Sequence, residues 1–379
     1  MLRVKILITV ALFISFILLS TTLSFAQSDI NLEALAPITS ENIDQLELIT
    51  SFEINSEWVS FAISPDGEKI AVIDSAGLQM LDISTGERGE YLISESVSNP
   101  TFSADGGVLT ANTTGLGGNK LFVINFDGGD TPEINSLEVA GIMGAGVALN
   151  TDGTRLAYSA SSAESVSDGT WNGYHIGPSV IHLVELATMS DQDTFEVEDA
   201  IIGQMFFSPD GTQLSYSSAE WLGPMSPNAS DAGLQVLDVE TGETSAHSDI
   251  SNILMGVSDD GRLAYFSSLN PLAGMVSCLS PVAVVNMESV TSQFTLPADD
   301  CASWEVGFSP DSTVVVAIQS AGSTVSIREA ADGTEITTLD VDNAAAAYNP
   351  IFSRDGKLLL IASTVNGLAN INVYGVPMP

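Results

Sequence analysis

Phe207-Ser208-Pro209-Asp210-Gly211 is the stretch on which the fold turns. Pro and Asp suit the early positions of a tight turn, and Gly supplies the positive φ that such a turn needs. Gln213-Leu214-Ser215-Tyr216 follows it, short and rich in β-formers, and an apolar strand precedes it, so the stretch links two antiparallel strands. In both directions along the chain the pattern returns. Its other copies are Ile63-Ser64-Pro65-Asp66-Gly67, Phe102-Ser103-Ala104-Asp105-Gly106, Leu149-Asn150-Thr151-Asp152-Gly153, Val257-Ser258-Asp259-Asp260-Gly261, Phe308-Ser309-Pro310-Asp311-Ser312 and Phe352-Ser353-Arg354-Asp355-Gly356. Successive aspartates lie 39, 47, 58, 50, 51 and 44 residues apart, about 48 on average, which suits one four-stranded blade per repeat with variable loops.

A third strand in each repeat ends in an apolar-plus-polar pair, as in Leu81-Asp82, Ile124-Asn125, Val184-Glu185, Leu237-Asp238 and Val285-Asn286. Thr85-Gly86-Glu87, Thr241-Gly242-Glu243 and Asp332-Gly333-Thr334 turn the chain into a fourth. Together with Leu81–Glu87 and Leu237–Glu243, the Ser-Pro-Asp-Gly turns make the chain resemble the WD40 repeat family over nearly all of its length beyond the leader. The signature Trp before Asp is absent, replaced by Leu, Ile, Val, Arg328 or Tyr374, and no Gly-His dipeptide occurs. The family's buried Asp-His-Ser-Trp network therefore does not carry over. Leu121–Gly129 looks more like the repeats of the periplasmic TolB propeller. The resemblance implies an all-β fold, a seven-bladed β-propeller of four-stranded antiparallel blades, with six or eight blades as the alternatives.

Both chain ends fit that ring. Residues 27–45 form a polar segment with a short helix near Ser40–Leu46, and a single propeller domain spans 46–377. Leu46–Ile54 reads as a strand without a turn motif of its own, while the last repeat stops at Ile371–Gly375, one strand short of a blade. Pairing the two removes two open edges.

In a propeller of this type the Ser-Pro-Asp-Gly turns lie on one face, and the loops joining strands two to three and four to the next blade lie on the other. Three long loops, Ala160–Ser179, Ser217–Gly233 and Ser267–Pro281, fall on that second face in consecutive blades three to five. Long loops on a rigid scaffold are where binding residues concentrate. Trp171, Tyr174, His175 and Trp221 lie in them, with Met225, and Trp304 begins the inner strand of the sixth blade on the same face. These are the candidate partner- or ligand-binding residues. Packing is the competing role for each ring, and Trp58, which also begins an inner strand, makes that plain for Trp304.

The 48 acidic and 10 basic side chains give a formal charge of −38. Arg3 and Lys5 precede an apolar run, Ile6–Leu19, and Ser24-Phe25-Ala26 offers small residues to a signal peptidase, so residues 1–26 read as a signal peptide cleaved after Ala26. An uncleaved anchor is the minor alternative. Removing the two leader cations leaves 48 against 8, a charge of −40. That balance excludes nucleic acid and anionic lipid as expected partners, because both need Lys and Arg to neutralise phosphate. With 45% hydrophobic and 15% charged residues the chain has ample core, so the acidity is expected to coat a folded surface.

Cys278 and Cys301 are the two cysteines. Both fall on the loop-rich face, and in an exported chain a disulfide between them is expected, with two free thiols as the alternative. It would close a 22-residue stretch and contribute about 3 kcal/mol on the loop-entropy argument. The histidines His175, His182 and His247 have no metal-type spacing, and His182, alternating with Ile181 and Leu183, reads as a packing residue. No nucleophile elbow and no phosphate loop is present; Ser167–Trp171 and Asp191-Gln192-Asp193 fail as an Asp box and a calcium loop. No catalytic residue, metal site or cofactor is expected. The reading is a secreted or periplasmic, monomeric, non-enzymatic propeller that binds a protein or small ligand through the loop-rich face of blades three to five. Its rivals are an enzyme of lactonase or hydrolase type, with a metal and carboxylates in the central channel, and a structural envelope component. The side chains lining the channel discriminate between binding and catalysis.

Overall fold

A computed structural model of the chain describes residues 30–113, 119–126, 131–167, 172–197, 200–221, 227–247, 253–267, 282–296, 304–319 and 322–378. The expected signal peptide lies outside these residues. Among them no helix is long and apolar enough to cross a membrane.

The described chain forms seven antiparallel sheets, six of four strands and a last one of five. Blades 1 to 6 begin at Ser60–Ile63, Ser98–Phe102, Ile142–Leu149, Ala200–Phe207, Ile253–Val257 and Trp304–Phe308, and blade 7 at Ala346–Phe352. Each of these first strands packs against the first strand of the next blade, and that of blade 7 packs against that of blade 1. The chain is a seven-bladed β-propeller.

A serine hydroxyl holds each turn motif, with one exception. Ser64, Ser103, Ser208, Ser258, Ser309 and Ser353 donate to the motif aspartate two residues on, at 2.5–2.7 Å. The same oxygens accept the backbone N–H five residues on, at 2.9–3.0 Å, which fixes the start of the second strand. In blade 3 Asn150 replaces the serine: its Oδ1 accepts the Arg155 N–H at 2.8 Å, and its amide donates to Thr154, whose hydroxyl reaches Asp152. Blade 6 departs at the glycine position, where Ser312 adopts φ +55°. Its hydroxyl donates to Asp260 of blade 5 at 2.6 Å, so the residue that breaks the repeat ties two blades together.

The aliphatic residues standing where the WD40 family has Trp are core. Leu81, Ile124, Val184, Leu237 and Val285 are all buried. The aspartates that follow Leu81 and Leu237 accept from the Thr85 and Thr241 hydroxyls and N–H groups in the next turn. Acidity lies outside: Glu133, Glu138, Asp193 and Glu196 are exposed on the outermost strands of blades 2 and 3.

Closure follows the expected pairing. Glu47–Ile54 runs antiparallel to Leu368–Pro377, from Glu47 opposite Gly375 to Ile54 opposite Ala369. Leu35 and Ala36 extend this edge against Pro377 and Val376. Phe52 and Ile54 enter one core cluster with Phe61 and Leu81 of blade 1 and Leu360 and Ile371 of blade 7. The segment before it is less polar in its contacts than in its composition. Ile38 and Ile43 are buried against blades 6 and 7, and the short helix is a single 3-10 turn, Ile43–Gln45.

Two predictions follow from the turn chemistry. Ser309→Ala, at a fully buried serine, leaves the Val314 N–H without its acceptor and is expected to cost about 1–3 kcal/mol in urea unfolding, with Ser208→Ala, at a half-buried serine, costing less. The Thr154 hydroxyl and N–H hold the Asp152 carboxyl below the usual range; burial pushes Asp311 up, but bonds from Ser309 and Thr313 outweigh it. Their contribution is present above the unfolded carboxyl value of about 3.9 and is lost as pH falls through the lower folded values. Unfolding free energy is therefore expected to drop below about pH 4, and Asp311→Asn to flatten that drop.

Candidate functional site

The first strand of each blade ends in the motif turn and the second returns from it, so turns one-to-two and three-to-four share one face, here the motif face. Connections two-to-three and four-to-one share the opposite, loop face. The described parts of Ala160–Ser179 and Ser217–Gly233 prove to be ladder rather than loop. In blade 3 the strands Arg155–Ser167 and Asn172–Glu185 stay paired past a bulge between Ser161 and Ala163, as far as Ser167 opposite Asn172. In blade 4 Gln213–Trp221 and Pro227–Asp238 do the same past a bulge between Ser218 and Glu220. The arm sequences lack the alternation of apolar residues by which a strand is read.

On these arms Tyr174 stands opposite Ser165, His175 opposite Glu164 and Trp221 opposite Pro227. The backbone thus places the three on two neighbouring arms of one face. Trp171, Met225, Cys278 and Cys301 lie outside the described residues, as does nearly all of the third expected loop. Trp304 begins the inner strand of blade 6 as expected, and it is half-buried against a cluster containing Leu263, Val282 and Val306. Trp58 differs. It follows a bend over Asn55–Glu57, precedes the first strand of blade 1, which starts at Ser60, and is 45% exposed. His182 does pack: its ring stacks on Tyr158 with centroids 4.6 Å apart, and Nδ1 bonds Asp191 at 2.9 Å.

Beside Trp304, Glu305 accepts the Asn349 N–H of blade 7, whose backbone is held at φ +55°. Burial pushes the Glu305 carboxyl up and the Asn349 bond pulls it back in part. Burial also raises the Tyr265 phenol nearby, and the Glu305 charge adds to that rise.

The motif face has a different chemistry. Two adjoining cavities of about 290 and 250 Å³ open at its channel mouth. Polar and apolar groups both line them; Phe61 and Phe352, at their edges, are buried in the packing between blades. The rim comes from the third motif position: Pro65, Ala104, Thr151 and Pro209 in four blades, Asp259 and Arg354 in two others. Asp259 and Arg354 line both cavities. Protein packed around Asp259 pushes its carboxyl up, and the Arg354 charge offsets part of that rise. No direct ion pair joins the two among the described residues, and no group of three or more His, Cys, Asp or Glu there is arranged to hold a metal ion. Sequence reasoning passed over this pair, whose only signal was two charges at a position that is Pro, Ala or Thr in the other five copies.

No family model matches the sequence, and no curated protein does. Solved structures share the fold. The β-propeller domain of Cps50 (Swd1) from Myceliophteria thermophila is similar with a TM-score of 0.63 at 13% identity, over 87% of this chain and 99% of that one. Hydrazine synthase of Kuenenia stuttgartiensis is similar with a TM-score of 0.59 at 14% identity, over 84% and 96%. At such identities the likeness is one of fold.

Because burial raises the Glu305 carboxyl, ionising it costs the folded state, and that cost sets in as pH rises above the unfolded value of about 4.3. Glu305→Gln keeps an acceptor for the Asn349 N–H and removes the charge. Calorimetry is expected to show a higher Tm for the variant at pH 7 and a difference that closes towards pH 4.

Proposed function

We propose that this chain is a WD40-type repeat propeller, exported from the cell and non-enzymatic, that binds a protein through the loop face of blades three to five. The observation that carries the reading is the pair of hairpin arms on the neighbouring blades 3 and 4. Paired strands on a closed ring lose little freedom on binding, so residues on them bind at low entropic cost. Tyr174, His175 and Trp221 lie on these arms, Trp171 is next to one of them in sequence, and aromatic side chains supply much of the energy of protein interfaces. The similarity to a WD40-type propeller domain supports the family reading.

Capture from the host's envelope and secreted fractions tests it, comparing the chain with a Trp171→Ala/Trp221→Ala variant of equal circular dichroism. A specific partner bound by the first and lost in the second is the expected result; capture unchanged by the variant would move the interface to another surface. For export, the expected N-terminal residue of the mature protein is Gln27, read by N-terminal sequencing.

A further inference from the structure

The outer rim of the ring consists of the last strand of each blade, and in blade 2 that strand is built differently. Glu133–Val139 pairs with Asn119–Asn125 in unbroken register over its whole length, from Glu133 opposite Asn125 to Val139 opposite Asn119. The outermost pairing slips in blades 1, 3, 5, 6 and 7, and in blade 4 the outermost strand, Thr244–His247, is only four residues long. Bulges and short length keep a sheet edge from pairing further. Glu133–Val139 has neither, and it contains no Lys, Arg or Pro. Among the described residues it has one neighbouring strand, so alternate N–H and C=O groups point outward. Glu133, Ile134, Asn135, Ser136 and Glu138 are exposed. Ile134 is 41% exposed although its cross-strand partner Ile124 is fully buried.

We propose that this edge takes an extended basic segment of a partner protein as a fifth, antiparallel strand of blade 2, with Lys or Arg opposite Glu133 and Glu138 and a β-branched apolar residue opposite Ile134. In strand addition the main chain supplies the binding and the side chains select the partner. Charge makes the selection here. Opposite charges across a ladder stabilise it and like charges destabilise it. Glu133 stands opposite Asn125, and the Lys120 opposite Glu138 holds Glu95 at 3.3 Å. A second copy of the chain is disfavoured as the occupant. Two such edges would set four glutamates on one ladder and bring together two molecules of formal charge −38. The same charge attracts a basic segment.

Fluorescence anisotropy of the labelled peptide Thr-Lys-Thr-Val-Thr-Val-Lys-Thr, titrated with the full chain at low ionic strength, tests the inference. Antiparallel to the edge, its lysines fall opposite Glu138 and Glu133 and its second valine opposite Ile134. Saturable binding is expected, with slowed amide hydrogen exchange over Glu133–Val139. Glu133→Lys/Glu138→Lys changes two exposed side chains and is expected to keep the parent's circular dichroism. It is expected to weaken this peptide at least about tenfold and to bind instead the peptide with glutamate in place of both lysines. Of two further peptides methylated on alternate nitrogens, one in each phase, one is expected to lose binding and the other to keep it, because only one edge of the peptide faces the blade. Absence of saturable binding up to about 1 mM would overturn the proposal. So would binding without slowed exchange over Glu133–Val139, binding indifferent to the charge swap, or two methylated peptides that both bind as well as the parent. The arms belong to blades 3 and 4, so Trp171→Ala/Trp221→Ala is expected to leave this titration unchanged, and failure here says nothing of the arms.

Discussion

Six of the seven blades rest on one serine hydroxyl that bonds in two directions. It accepts the first N–H of the returning strand and donates to an aspartate, whose Oδ1 also accepts the backbone N–H two residues further on. A buried N–H at a strand start costs about 1–3 kcal/mol if unmet, so the hydroxyl is a structural requirement of the hairpin. Asn150 meets the same need directly in blade 3, its Oδ1 accepting the Arg155 N–H, and is linked to Asp152 only through Thr154. The residue between serine and aspartate is left without a task in the turn, and its identity ranges over Pro, Ala, Thr, Asp and Arg.

Around the ring the blades are joined by more than apolar packing. Ser312 reaches Asp260, Arg262 donates to the Asp311 carbonyl at 2.9 Å, and Thr151 donates to the Pro209 carbonyl at 2.8 Å. On the inner ring Glu305 does similar work between blades 6 and 7 at the cost of a partly desolvated charge. These contacts add directional bonds to the close apolar packing between neighbours.

Much of the fold was legible because its signals are local. A glycine that must adopt positive φ, a serine and an aspartate at fixed offsets and a short strand on either side recur often enough to count blades, and an unpaired strand at each end announces closure. The arms were read as loops because Ser161–Ser167 has no alternation of apolar and polar residues to mark a strand. Trp58 was taken for a strand residue since nothing in its neighbours marks the turn at Ser56. Asp259 and Arg354 are about 95 residues apart in sequence and meet only when the ring closes, so no window along the chain contains their relation.

The closing strand sets an order on events. Ser51 donates to Asn372 across 321 residues, so the seventh blade is complete only when a strand made after the other six blades returns to one made before them. Until then Glu47–Ile54 and Leu368–Pro377 are two bare sheet edges, each a template for pairing with another molecule. Long-range pairings of this kind form late, since the entropy of closing the loop must be overcome before any bond is made. The ring is thus an all-or-none object with respect to synthesis. A chain cut short before Leu368 keeps six blades with their turns intact and still has no closed channel, and the Phe52 and Ile54 side chains that belong between blades 7 and 1 have lost one wall of their site.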